Sequence, residues 1–349
     1  MGMKTSGNKQ KMGLGYLLEI ATGHYRSKAM FVASNLGVFN ILSNGPKTLE
    51  EISRELNIKA RPASMLLNAC VALNLLEKKV GLYSNSRTAE MYLVAGKPQY
   101  LEPAFFKFDE HSYLLFDKLE KAILSDSAQI PVENAEDPEL LPSCMLIGNR
   151  ADYRKFLSAL DPIAEWPASV IASTFDFSKF KKLLDVGAGS GVYSAAIVKK
   201  HANIEAIAFD LPYPCEIGEE MVREKGLSAR IRYYRGDYFK DDFPKGVDVA
   251  LLSNVLHGYG LEKCNLLIKK VYDSLPCGGA IIISDLILDE DGCGPEIAVF
   301  MSFYFLLITE AGRNYTLSEY EAMLKNAGFL EISSVRSSGE TKFITGVKA

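Results

Sequence analysis

In LLDVGAGSG, Asp185 is followed by Gly187, Gly189 and Gly191 in the order D-x-G-x-G-x-G. An apolar run leads into these glycines and a helical pattern leaves them, which is where a nucleotide-type ligand approaches the backbone of a doubly wound fold. A dinucleotide fingerprint reads G-x-G-x-x-G, and its third position is occupied here by Val192. Asp185 would repel a pyrophosphate and hold a ligand that carries a cationic amino group. That charge favours S-adenosylmethionine over a dinucleotide. Asp210, followed by Leu211 in AIAFDLP, ends the next strand, where its two oxygens suit a ribose diol. Asp237 in RGDYF ends the third strand and is placed to accept from an adenine amino group, with Tyr238 and Phe239 offering ring contacts. Taken singly, the loop is a structural turn and the acids are solvated strand ends. Three acids at successive strand ends beside one glycine loop point instead to a binding site.

SNVLHGYGLEKC holds the second group of interest. His257 ends the fourth strand on the side of the sheet where open α/β folds bind ligands, and Asn254 in the same stretch is counted with the cofactor-binding residues. An imidazole, with its ordinary pKa near ~6.5, takes a proton from a phenol-like hydroxyl as the oxygen attacks a methyl group. Such a transfer needs a base and a positioned electrophile, and no metal. The plainer reading of His257 is a polar residue closing a strand. His24, His111 and His201 fall in no matching motif and read as surface or packing residues. The aromatic run FMSFYF, 300–305, lines a pocket for a planar substrate or else belongs to core or interface.

These residues require an alternating scaffold. From Phe180 onward the chain reads strand, helix, strand, helix, which indicates an α/β, doubly wound, mainly parallel seven-stranded sheet of Rossmann-like type. The last two strands, EISSVRSS and TKFITGVKA, are close enough in sequence to form an antiparallel hairpin. Residues 14–100 read as helices with one small ribbon. Thr48 and Glu51 make a capping box, a break falls at Arg61-Pro62, SMLLNACVALNLLEK is a second helix, and LLEKKVGLYSNS is a hairpin. That is the winged-helix order, which raises DNA binding. Between Pro62 and Leu76 there is no Lys or Arg, and Asn68 and Asn74 are the only strongly polar side chains, so packing or dimerisation is favoured. Residues 101–179 read as a helical connector that contributes to a pocket, with DEHSYLLFDKLEKAIL a helix and ENAEDPELLPS a loop.

From Phe180 the chain resembles the class I methyltransferases. The whole chain resembles the small-molecule O-methyltransferases of the plant caffeate and acetylserotonin type and their bacterial relatives. The matching stretches are LLDVGAGSG, FDLP, RGDYF, VLHGYGLEKC, LPCGGAIIISD and NAGF, together with the N-terminal winged-helix pattern. The resemblance implies an intertwined homodimer built by the N-terminal domain. It aligns His257 with the catalytic base, and Asp285 and Glu319 with two flanking carboxylates. Asp285 is shorter than the glutamate usual in that family. Gly258-Tyr259 replaces Asp-Trp or Asn-Trp, Leu261 stands at a usually acidic position, and Tyr315-Thr316 replaces Arg-Thr. The pocket has been rebuilt around the histidine.

Bulk properties narrow the partners. The chain has 349 residues, long enough for two cores, and a net charge of -4, without the basic footprint of a protein devoted to nucleic acid or anionic membrane. Six cysteines occur with no C-x-x-C pair or cysteine-histidine cluster, so a metal is not expected and reduced thiols in a cytoplasm are. The N-terminus lacks an export pattern, and the longest apolar run, IAVFMSFYFLLI, is shorter than the ~20 residues a membrane helix needs. The expected function is transfer of a methyl group from S-adenosylmethionine to a hydroxyl of a small aromatic or polyketide-like molecule. The alternatives are methylation at carbon or nitrogen, and a non-catalytic ligand sensor that binds DNA.

Overall fold

The computed structural model describes residues 13–97, 99–101, 112–129, 150–336 and 342–349. The chain divides into two compact units near residue 105. The first contains helices α1 (Leu14–Ala21), α2 (Gly23–Asn35), α3 (Val38–Leu42), α4 (Leu49–Glu55) and α5 (Ala60–Ala72). The antiparallel pair β1 (Leu76–Lys79) and β2 (Leu82–Asn85) and helix α6 (Arg87–Tyr92) complete it. Helix α4 starts where the capping box requires. The Thr48 hydroxyl accepts the Glu51 N–H at 3.2 Å, and the Glu51 carboxylate accepts the Thr48 N–H at 2.7 Å.

The break expected at Arg61-Pro62 is absent, because α5 begins at Ala60 and holds Pro62 in its first turn. The first N–H groups of a helix have no intrahelical partner, so a proline there removes nothing. Arg61 therefore belongs to the helix whose later turns carry no cation. Asn68 accepts from the Tyr83 hydroxyl at 2.9 Å, tying α5 to the hairpin. Ala63, Leu67 and Cys70 pack with Phe39, Ile52 and Tyr83 in the core of this unit. Helix α1 buries none of its residues.

The second unit begins with helices α7 (Tyr113–Phe116), α8 (Leu119–Ser125) and α9 (Arg150–Thr174). The single helix expected over DEHSYLLFDKLEKAIL is, in its described part, two short ones interrupted at Asp117-Lys118. The loop ENAEDPELLPS, His111 and Cys144 lie outside the described residues. The sheet domain then runs β3 (Lys182–Val186), α10 (Val192–Lys200), β4 (Glu205–Asp210), α11 (Pro212–Glu224), β5 (Ile231–Arg235), β6 (Val249–Ser253), α12 (Leu261–Ser274) and β7 (Ala280–Asp285). It closes with α13 (Glu296–Ile308), α14 (Leu317–Ala327), β8 (Phe329–Arg336) and β9 (Lys342–Lys348).

The seven strands lie in the order β5-β4-β3-β6-β7-β9-β8, and β9 alone runs opposite to the other six. β6 and β7 are buried along their whole length, as continuous apolar runs covered by helices on both faces must be. Winding reverses between β3 and β6, which opens a crevice beyond the carboxyl ends of the central strands. Among the described residues no helix is long and apolar enough to cross a membrane.

Candidate active site

A cavity of about 520 Å³ occupies this crevice. Its walls include Asp185, Gly187, Gly189, Asp210, Leu211, Tyr238, Asn254, His257 and Asp285, all expected from sequence. Gly191, Asp237, Phe239 and Glu319 are not in the wall. β5 stops at Arg235, two residues short of the expected end, and the Asp237 carboxylate turns to accept the Phe239 N–H at 2.8 Å, with Lys240 at 3.7 Å. Tyr238 is what this turn presents to the cavity.

The three loop glycines all have positive φ, at 71°, 52° and 72°. At Gly187 any side chain would be strained, and its Cβ would lie 2.8 Å from Val255. Beneath the loop the two carboxylates are almost sealed from solvent. Asp185 is 2% exposed and accepts from the Ser194 hydroxyl at 2.6 Å. Asp210 is 7% exposed, with one oxygen accepting the Gly189 N–H and the other the Leu211 N–H, each at 2.8 Å. Burial pushes both carboxyls up to about 6, and the nearby charge of Asp210 adds to the rise at Asp185.

β6 ends at Ser253, so His257 stands four residues beyond the strand, in the 3₁₀ turn Leu256–Gly258. The turn and the end of β7 bring His257 Nδ1 against Asp285 Oδ1. A carboxylate only accepts, so Nδ1 carries a proton, and in the neutral imidazole Nε2 is left as the acceptor. The imidazole stacks on Phe305 of α13, with ring centroids 4.1 Å apart and planes 21° from parallel. Glu319, aligned with a second flanking carboxylate, is not beside the histidine. It caps α14, accepting the Thr316 N–H at 2.8 Å, and pairs with Arg313 at 2.6 Å, which holds its carboxyl below the usual range.

The FMSFYF run divides between the cavity wall and a buried cluster in which Tyr304 and Phe305 pack with Leu115 and Ala122. Met301, Tyr304 and Phe305 line the cavity, while Phe300 remains exposed on the same helix. His201 is a packing residue whose Nε2 bonds to the Ala172 carbonyl at 2.7 Å, and His24 is exposed. Tyr259, which follows the histidine turn, is not in the cavity wall; its hydroxyl meets that of Tyr238 at 2.5 Å.

The connector 101–179 is expected to contribute to a pocket, but no motif singles out which of its residues do so. Helix α9 contributes Tyr153, Phe156, Leu157 and Asp161. Asp161 accepts from Ser190 of the glycine loop and from Lys225 Nζ at 2.8 Å, contacts spanning 29 and 64 residues that no local pattern announces. The donor set fits S-adenosylmethionine. Two buried acids beneath a loop without Cβ atoms offer anionic partners for a cationic amino group and a diol, and the apolar remainder of the wall offers surface for flat rings.

Comparisons with known proteins agree with this geometry. A model of the O-methyltransferase domain matches residues 145–330, and one of the O-methyltransferase dimerisation domain matches residues 18–95. The 3-hydroxy-5-methyl-1-naphthoate 3-O-methyltransferase of Streptomyces sahachiroi is 33% identical, with 95% of each chain covered. The acetylserotonin O-methyltransferase of Bos taurus is 31% identical over 94% of this chain and 95% of its own. Among solved structures, that of PigF with SAH superposes with a TM-score of 0.86 at 26% identity, over 97% of this chain and 100% of that one. PigF is an S-adenosyl-L-methionine-dependent methyl transferase of Serratia.

Proposed function

The chain belongs to the O-methyltransferase family and is an S-adenosylmethionine-dependent methyltransferase; from that premise we propose that it methylates a hydroxyl of a small aromatic or polyketide-like molecule, with His257 as general base. The observation that carries the reading is the contact of His257 Nδ1 with the buried Asp285, on an imidazole in the cavity wall. When bound, the cofactor supplies a methyl group on a sulfonium sulfur, open to attack by an oxygen nucleophile. Asp185 and the glycine loop hold its amino-acid end and Asp210 its diol, while Tyr238 provides a ring surface. His257 Nε2 takes the hydroxyl proton as the oxygen becomes nucleophilic, and the imidazolium so formed faces the Asp285 carboxylate. Phe305 covers one face of the ring and excludes water from it. Met301 and Tyr304 give the acceptor an apolar, aromatic wall.

Residues 14–100 serve dimerisation, 101–179 contribute to the acceptor pocket, and 180–349 bind the cofactor. The working unit is a homodimer. The proposed setting is cytoplasmic.

The test combines calorimetric titration with SAH and a radiolabelled-methyl screen of phenolic and polyketide acceptors, using wild type and His257→Ala. The expected result is tight SAH binding by both proteins and a loss of turnover of about a hundredfold or more in the variant, the size typical of a removed general base. Turnover untouched by the substitution would move the chemistry to carbon or nitrogen, where a phenol need not be deprotonated.

A further inference from the structure

Asp285 is 2% exposed and its carboxylate receives four donors. Oδ1 accepts from His257 Nδ1 and from the Leu286 N–H at 3.0 Å. Oδ2 accepts the His257 N–H at 3.3 Å and the Tyr320 hydroxyl at 3.0 Å. Three of these donors belong to the histidine turn and to the residue that follows β7. The fourth comes from a different element, and among the described residues it is the only side chain besides the histidine to hydrogen-bond this carboxylate.

Tyr320 is fully buried at the start of α14, one residue after Glu319. The capping box of Thr316 and Glu319 fixes where that helix begins and hence its rotational phase. With Glu319 committed to the cap and to Arg313, the next residue turns inward. Tyr320 packs edge-on against Tyr315, with centroids 5.7 Å apart, and its hydroxyl points at Asp285. Its burial, reinforced by the charge of Asp285, holds the phenol well above its usual range, so that it remains a donor at all working pH values.

We propose that Tyr320 is a positioning residue for the reaction: its hydroxyl fixes the rotamer of Asp285, and through it the tautomer and orientation of His257, filling the supporting place that Glu319 does not occupy. Asp285 meets the imidazole through Oδ1 alone, so that contact depends on the carboxylate being held at one setting. A donor on Oδ2 provides that hold while leaving Oδ1 for the imidazole. The inference rests on His257 acting as the base.

The experiment is a double-mutant cycle of Tyr320→Phe and Asp285→Asn, with His257→Ala and Glu319→Gln alongside. Turnover of a phenolic acceptor, the acceptor KM and the calorimetric Kd for SAH are read for each protein. Tyr320→Phe is expected to lower kcat about tenfold, the order expected for one lost hydrogen bond to a charged group, while KM and Kd stay within about twofold. On the Asp285→Asn background the same substitution is expected to change kcat by less than about twofold, because the group it acts through is already altered. Glu319→Gln, which retains a capping side chain, is expected to keep kcat within about twofold. An unchanged kcat in Tyr320→Phe, an equal loss on both backgrounds, or a parallel loss of SAH affinity would each overturn the proposal and make Tyr320 a packing residue. Full activity in His257→Ala would overturn the base reading and this inference together, whereas loss there with Tyr320→Phe unaffected would overturn only this one.

Discussion

Asp185 and Asp210 carry two opposing demands at the residue scale. Burial raises both to about 6 in the folded chain, above the ~3.9 of a free aspartate, so the folded state retains protons that the unfolded state releases. Their favourable contribution to stability is therefore complete below about pH 4 and is lost as the pH rises through 6, leaving buried charge in the ligand-free protein at neutral pH. Ligand binding runs the other way, because a cationic amino group and a diol need the ionised carboxylates. The affinity for SAH is expected to fall as the pH is lowered from about 7.5 to 5.5, with proton release on binding, which calorimetry in buffers of different ionisation enthalpy would measure. Asp185→Asn is expected to raise the melting temperature of the ligand-free protein near pH 8 and to weaken SAH at least about tenfold, a trade of stability against function. A lower melting temperature would mean that the carboxylate is structurally required and would refute this account.

Among the elements, α11 is held against the glycine loop by the absence of a side chain. A Cβ at Gly218 would lie 2.2 Å from the Tyr233 hydroxyl and 2.4 Å from the Gly189 carbonyl oxygen, and Tyr233 donates to that same carbonyl at 2.9 Å. Gly218→Ala must push the helix, the tyrosine or the loop. Overpacking of this kind costs about 1–3 kcal/mol, so urea denaturation should show a loss of that order, accompanied by weaker SAH binding. Gly15→Ala, with open space around it, should cost nothing comparable. The contrast shows what is legible in a sequence. The capping box at Thr48, the D-x-G-x-G-x-G loop, and Asp210 and Asp285 at their strand ends depend on neighbours a few residues away, and each stands where its pattern requires. Gly218, Asp161 and Tyr320 act on partners 15 to 64 residues distant in sequence, and no local spacing reveals them. Glu319 marks the boundary. Its motif is visible, but a capping box and a flanking carboxylate use the same residue, and only the packed helix shows that the cap and Arg313 hold it.

On the scale of the whole molecule, the N-terminal unit leaves apolar surface that its own core does not cover. Leu14, Leu17, Leu18 and Ile20 of α1 are 54–72% exposed within a single chain, and the match to the dimerisation domain starts inside this helix, at residue 18. Single exposed leucines are ordinary, whereas four on one two-turn helix with no buried residue form a patch that a second copy would cover. A homodimer held in this way has a stability that depends on its concentration, because only the dimer buries the helix. Sedimentation equilibrium should give twice the chain mass at micromolar concentration, and the melting temperature should rise with protein concentration. Placing aspartate at both Leu17 and Leu18 puts two charges into the covered surface, and the variant is expected to sediment as a monomer with a concentration-independent melting point. A wild-type monomer, or a charged variant that remains dimeric with an unshifted melting curve, would remove α1 from the interface.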